Sequence, residues 1–198
     1  EKILSALNDI VWGPPLLILL CGTHVFLTFR LGFIQRYIPR AIKISFTRTN
    51  EGQGDVTQFG ALVTALAATI GAGNIVGVGT AIALGGPGAV LWIWLTGVFG
   101  IATKYAESLL AVKYRTTNAQ GQMCGGPMYV LERGMNCKWL AVVFAVFTAI
   151  AAFGIGNMVQ ANSVVTLVEE TFHINKWVTG MVLTVTIGIV ILGGVKSI

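Results

Sequence analysis

Residues 57–84 contain no Asp, Glu, Lys, Arg or His, and in their middle Gly71, Gly73, Gly77 and Gly79 crowd around one amide, Asn74. These types cannot make or break covalent bonds, but they can bind. An asparagine amide both donates and accepts hydrogen bonds. Glycines lack Cβ and let backbone approach a ligand closely. Glycine also costs about 1 kcal/mol relative to alanine inside a helix. A helix over this run therefore has its weak point near Ile70 to Asn74. If it unwinds there, carbonyls and N–H groups stand free at mid-membrane, which lipid does not tolerate but an ion or substrate cavity does. The other reading is a small-residue face for close helix packing. The glycines alone leave both open. A nucleotide loop is disfavoured, because Gly71-Ala72-Gly73 starts no GxGxxG and follows no strand signal.

A second polar cluster, Gly154, Gly156, Asn157, Gln160 and Asn162, closes another apolar run. Such amides either join helices or line a site. His24 lies deep in a third run. With no carboxylate at helix spacing, it reads as a hydrogen-bonded packing residue rather than a proton carrier. Lys104 and Glu107 are three apart and can share a helix face. They form a structural or gating ion pair, or else snorkel to a nearby interface. Cys21, Cys124 and Cys137 supply no CxxC pair, and Cys21 reads as a small buried hydrophobe. No catalytic triad, nucleophile elbow or transition-metal motif is visible, so the chain does not read as an enzyme and calls for no cofactor.

The elements that would hold these residues are membrane spans. Of 198 residues, 55% are apolar and 11% charged, and mean hydropathy is +0.77. Soluble domains carry about 25% charge. The charges collect in gaps between apolar blocks, which predicts an all-α polytopic membrane protein. Spans are expected at 11–29, 57–84, 89–112, 139–160 and 177–192, in a single transmembrane region. As one helix, 57–84 would measure about 42 Å against a hydrocarbon core of about 30 Å. Residues 1–9 read as a short polar or interfacial lead, 32–44 as an amphipathic surface helix, 49–57 and 113–126 as polar loops, and 127–135 as a short re-entrant or surface helix. Glu169, Glu170 and His173 are expected in a turn.

The net charge of +5 points to orientation in the bilayer rather than to nucleic acid, since the basic residues sit at the ends of apolar runs. One gap holds Arg30, Arg36, Arg40, Lys43 and Arg48; another holds Lys113, Arg115, Arg133 and Lys138. The positive-inside rule puts both in the cytoplasm, with the N-terminus outside and residue 198 inside a cell inner membrane. The chain starts without Met and stops abruptly, which reads as a portion of a longer protein.

The run from Thr64 to Val78, TALAATIGAGNIVGV, resembles the alanine or glycine:cation symporter family, whose members are usually sodium-coupled. Three further stretches match: Gly85-Gly86-Pro87-Gly88-Ala89 with Lys104-Tyr105-Ala106-Glu107, then Gly125 to Tyr129, then Gly154 to Asn162. The resemblance spans essentially the whole chain. It implies a five-plus-five inverted-repeat fold preceded by one extra helix, here 11–29. The span at 57–84 would be the discontinuous first core helix, and the second repeat is absent from this chain. It implies symport of alanine or glycine with sodium as coupling ion, in a protein that can be monomeric. Asn74 and Gln160 would be the main substrate residues, followed by Gly71, Gly73 and Thr69. Carbonyls of Ala68, Ile70 or Gly71 would bind sodium, completed by the missing half. Two readings from other classes stand beside it: a passive channel with the glycine break as filter, and a non-transporting structural subunit.

Overall fold

The structure, a computed structural model, describes residues 2–46 and 56–193. Arg48, the loop residues 49–55 and residue 198 lie outside them. Helix α1 covers Lys2–Val11, where a short polar or interfacial lead was expected. Ile3, Leu7 and Ile10 recur at i, i+4 and i+7, the spacing of an amphipathic helix. Helix α2 runs from Pro14 to Arg30, with Pro14 and Pro15 in its first turn. Their missing N–H groups cost nothing there.

Helix α2 packs against α6, Gly88–Lys113. The seam is polar. His24 Nδ1 hydrogen-bonds Thr103 Oγ1 at 2.7 Å. Thr28, only 1% exposed, donates to the His24 carbonyl. Past α2 the chain reverses through Gly32 and Phe33, both left-handed. A 3-10 turn over Ile34–Tyr37 and helix α3, Ile38–Ser45, follow. Gln35 Nε2 donates to Thr28 Oγ1 and to the Val98 carbonyl at 3.1 and 3.0 Å. The 32–44 segment is thus a turn and a short helix tied back to α6.

The run around Asn74 is broken. Helix α4, Gln58–Thr69, starts with Thr57 Oγ1 accepting from Gly60 N. It ends at Ile70, whose backbone is extended. A π turn, Gly73–Gly77, then leads into α5, Val78–Gly85. The two halves are bent by 59°. Gly86, left-handed at φ 68°, separates α5 from α6.

After α6, the expected polar loop contains a two-stranded antiparallel ribbon, β1 Thr116–Thr117 with β2 Met123–Cys124. Asn118 closes it, its Oδ1 accepting from Gln120 N and Gln122 N. Helix α7, Pro127–Tyr129, continues into a π turn at Val130–Gly134. Then α8, Lys138–Ala151, a π turn at Ala152–Met158, and α9, Val159–Phe172, form one helical run of 35 residues. At about 1.5 Å per residue it outreaches the hydrocarbon core. Glu169 and Glu170 lie in its last turn rather than in a loop, because the stop is His173, which is left-handed at φ 55°. Helix α10 covers Lys176–Gly193.

Among the described residues, four helices are long and apolar enough to cross a membrane, or five when the bent pair counts as one span. Side-chain exposure agrees. Among the described residues, Ala102, Ala141 and Thr28 are buried, while Trp12, Ile18, Phe147 and Met181 are open. Cys21 is exposed as well; the apolar run holding it turns outward instead of into a core. Water does not tolerate apolar surface on this scale. The protein is an all-α, multi-pass membrane protein apart from its small ribbon.

Candidate functional site

Where α4 ends, the helix has lost its internal hydrogen-bond ladder, and side chains take over part of that work. Asn74 Nδ2 donates to the Thr69 carbonyl at 2.7 Å. Asn74 N donates to the Gly71 carbonyl at 3.0 Å. Thr69 Oγ1 donates to the Ala65 carbonyl at 2.7 Å, which fixes the hydroxyl while leaving its lone pairs outward. The Asn74 amide therefore stitches the end of one half-helix to the start of the next.

The second partner comes from α9. Gln160 Oε1 accepts from Ala72 N at 2.6 Å, across 88 residues of sequence. It reaches that N–H by lying over Gly71. A Cβ on Gly71 would stand 2.9 Å from Gln160 Nε2 and 3.1 Å from Oε1. A contact under 3.0 Å forces something to move, and here the flexible end of Gln160 would give way, so a side chain at 71 would push the amide aside. Just before Gln160, the π turn at Ala152–Met158 carries Gly154, Gly156 and Asn157. The site is thus framed by two π turns, and π turns recur at functional sites.

Between them lies a cavity of about 440 Å³, lined by Ala67 to Gly71, Gly73, Asn74, Gly156 and Gln160. Its wall carries no charged side chain. Negative charge can be met there only by N–H groups and the positive end of the following half-helix. Positive charge can be met only by amide and carbonyl oxygens. Such a wall has the polarity that a small zwitterion or a bare cation would need.

A family model described as the sodium:alanine symporter family matches residues 1–198. The chain belongs to that family. A sodium/alanine symporter of Methanococcus maripaludis is 54% identical over 100% of this chain and 45% of its own length. An uncharacterized transporter of Haemophilus influenzae is 56% identical over 100% of this chain and 44% of its own length. A probable sodium/glutamine symporter of Bacillus subtilis is 36% identical over 100% of this chain and 42% of its own length. The chain therefore spans less than half the length of these curated relatives of the sodium:alanine symporter family.

The residues singled out from sequence fall in two places. Asn74, Gln160, Gly71, Gly73, Thr69, Ala68 and Ile70 all line the one cavity. Lys104 and Glu107 do not. They pair at 3.0 Å within α6, with side chains 72% and 47% exposed. Glu107 instead edges another, apolar cavity beside Leu27, Thr103, Leu110 and Phe144. Sequence reading missed Ala72, whose contribution is a backbone N–H and leaves no trace in residue type. It also missed Gly156 as a wall residue, although Gly156 stands four residues before Gln160, the spacing that puts both on one helix face.

Proposed function

We propose that this chain is the N-terminal part of a symporter that couples sodium to a small neutral amino acid, alanine or glycine, in a five-plus-five inverted-repeat fold. The observation that carries the reading is the uncharged cavity at the break between α4 and α5, where N–H groups, amides and carbonyls converge. A small amino acid presents one carboxylate and one ammonium an atom apart. The carboxylate goes to the backbone N–H groups at the start of the second half-helix, where the dipole favours an anion. Gly71 and Gly73 permit the approach, and Asn74 adds its amide. Gln160 takes the ammonium. Sodium sits on carbonyls of Ala68, Ile70 or Gly71, with Thr69 Oγ1 beside them, and the remainder of the site comes from the second repeat.

The relatives support this reading by name: one is a sodium/alanine symporter, and another is a putative sodium/proton-dependent alanine carrier. The probable glutamine symporter among them makes side-chain size, not the shared carboxylate and ammonium, the variable part of the site. We place the N-terminus outside the cell inner membrane and residue 198 in the cytoplasm, from the distribution of basic residues. No step needs covalent chemistry.

The test is uptake of labelled alanine and glycine into proteoliposomes holding the complete protein. Uptake is expected to saturate, to need an inward sodium gradient, and to be abolished by Asn74→Leu. Uptake indifferent to sodium would move the reading to protons or facilitated diffusion. No uptake by folded protein would sink the assigned substrate.

A further inference from the structure

Gln160 and a bound carboxylate have claims on the same donor. Ala72 N–H carries one proton, and it is given to Gln160 Oε1 at 2.6 Å. Asn74 N–H, two residues on, is already given to the Gly71 carbonyl. A carboxylate entering the cavity at the start of the second half-helix therefore meets the Gln160 oxygen in its way. The whole amide lies against Gly71, where a Cβ would push the flexible end of Gln160 aside.

We infer that Gln160 is an internal stand-in for the substrate carboxylate: it caps Ala72 N–H until an amino acid displaces it, and then turns its freed oxygen to the substrate ammonium. The inference rests on the binding reading given above. A neutral amide-to-amide bond is exchanged for two charge-assisted ones, which are roughly twice as strong each. Only a ligand with both charges an atom apart completes the exchange. A carboxylate without an ammonium displaces Gln160 and leaves its oxygen without a donor, a loss that desolvated polar groups make expensive. Gln160 is thus a positioning residue that makes the site read two charges at once, rather than one contact among several. Displacement also gives the cavity two arrangements that differ in what holds α9 to the broken helix, a link between occupancy and helix packing.

Equilibrium dialysis of labelled alanine and labelled propionate against the complete protein, in detergent with saturating sodium, tests this. Propionate has alanine's carboxylate and carbon chain without the ammonium. Removing the stand-in by Gln160→Ala is expected to weaken alanine by about tenfold or more, from the loss of a bond to a charged group. The same variant is expected to tighten propionate several-fold, because nothing competes for Ala72 N–H. A residue that only contacts substrate would leave propionate unchanged, and a residue that only packs would weaken both ligands; either result overturns the inference. Gln160→Glu supplies a second reading should the alanine variant fail to fold. A carboxylate placed on Ala72 N–H should abolish propionate binding at neutral pH, and propionate affinity equal to the unmodified protein's would equally overturn it. If the unmodified protein binds no alanine at all, the substrate reading fails instead, and the two failures are told apart.

Discussion

Gly71 is the residue over which the Gln160 amide lies. Its φ lies outside the left-handed region, so alanine would suit its backbone. Exchanging Gly for Ala at a compatible position stabilises by about 0.4–1 kcal/mol through the unfolded chain. The added methyl, however, would stand 2.9 Å from Gln160 Nε2 and 3.2 Å from its Cδ. Stability and function should therefore separate in Gly71→Ala. Thermal unfolding is expected within a few degrees of the unmodified protein, while the KM for alanine falls several-fold, because the methyl holds Gln160 off Ala72 N–H and leaves that donor to the substrate carboxylate. A variant with unchanged KM would show that Gln160 need not lie over residue 71. Asn74 was legible from sequence because an amide amid four glycines inside an uncharged run has few structural uses. The role of Gln160 was legible only as a polar group on an apolar helix. Its partner lies 88 residues away and is a backbone atom, so no spacing rule reaches it.

The elements divide into a pair that is clamped and a pair that is hinged. Helices α2 and α6 are held by His24 with Thr103, and by Gln35 with Thr28 and the Val98 carbonyl. In a membrane such bonds are worth about 0.6 kcal/mol on average and up to about 1.7. Thr103→Val keeps the shape and removes the partner of His24. A loss of about 1 kcal/mol, read as a lower unfolding temperature, is expected, with the KM for alanine unchanged because Thr103 does not line the cavity at the break. A changed KM would mean that α2 takes part in binding. The hinged pair is α4 with α5, whose 59° bend is one of the two readings that glycine crowding left open. Other features were not readable in composition. The π turn at Ala152–Met158 is one extra residue per turn inside an apolar helix, and only Gly154 and Gly156 hint at it. The ribbon at Thr116–Thr117 and Met123–Cys124 is two residues per strand, too short for alternation to register. Glu169 and Glu170 looked like loop residues because charge was taken as the end of a span. The helix instead continues past the apolar stretch, and Glu169 pairs with Lys176 at 2.9 Å across the turn at His173.

For the whole molecule, charge and helix order must agree on one orientation. Arg30 ends α2 and Arg36, Arg40 and Lys43 follow it; Lys113 ends α6, Lys138 begins α8, and Arg115 and Arg133 lie between them. Counting the bent pair as one span, two crossings separate these groups, so they share a side. The turn after α9 lies one crossing further on and carries Glu169 and Glu170 against Lys176 alone. Each Lys or Arg near an anionic leaflet gains about 1 kcal/mol, so the two basic groups together outweigh any preference of the acidic turn. The ribbon should face the cytoplasm and the acidic turn the outside. Single cysteines at Gln120 in the ribbon and at Glu170 in the turn, with Cys21, Cys124 and Cys137 replaced by serine, test this in whole cells. An impermeant thiol reagent should label Glu170→Cys in intact cells and Gln120→Cys only after permeabilisation. The reverse pattern would invert the protein. Labelling of both in intact cells would mean that the run Lys138–Phe172 does not cross, whereas a cysteine at Ala41, before the bent pair, that labels on the opposite side from Gln120→Cys would break the assignment of the bent pair as one span. That assignment matters to the mechanism, because a re-entrant pair would open the Asn74 and Gln160 cavity to one side permanently, whereas a span broken at its middle leaves the cavity equally far from both faces, where a carrier must hold its cargo.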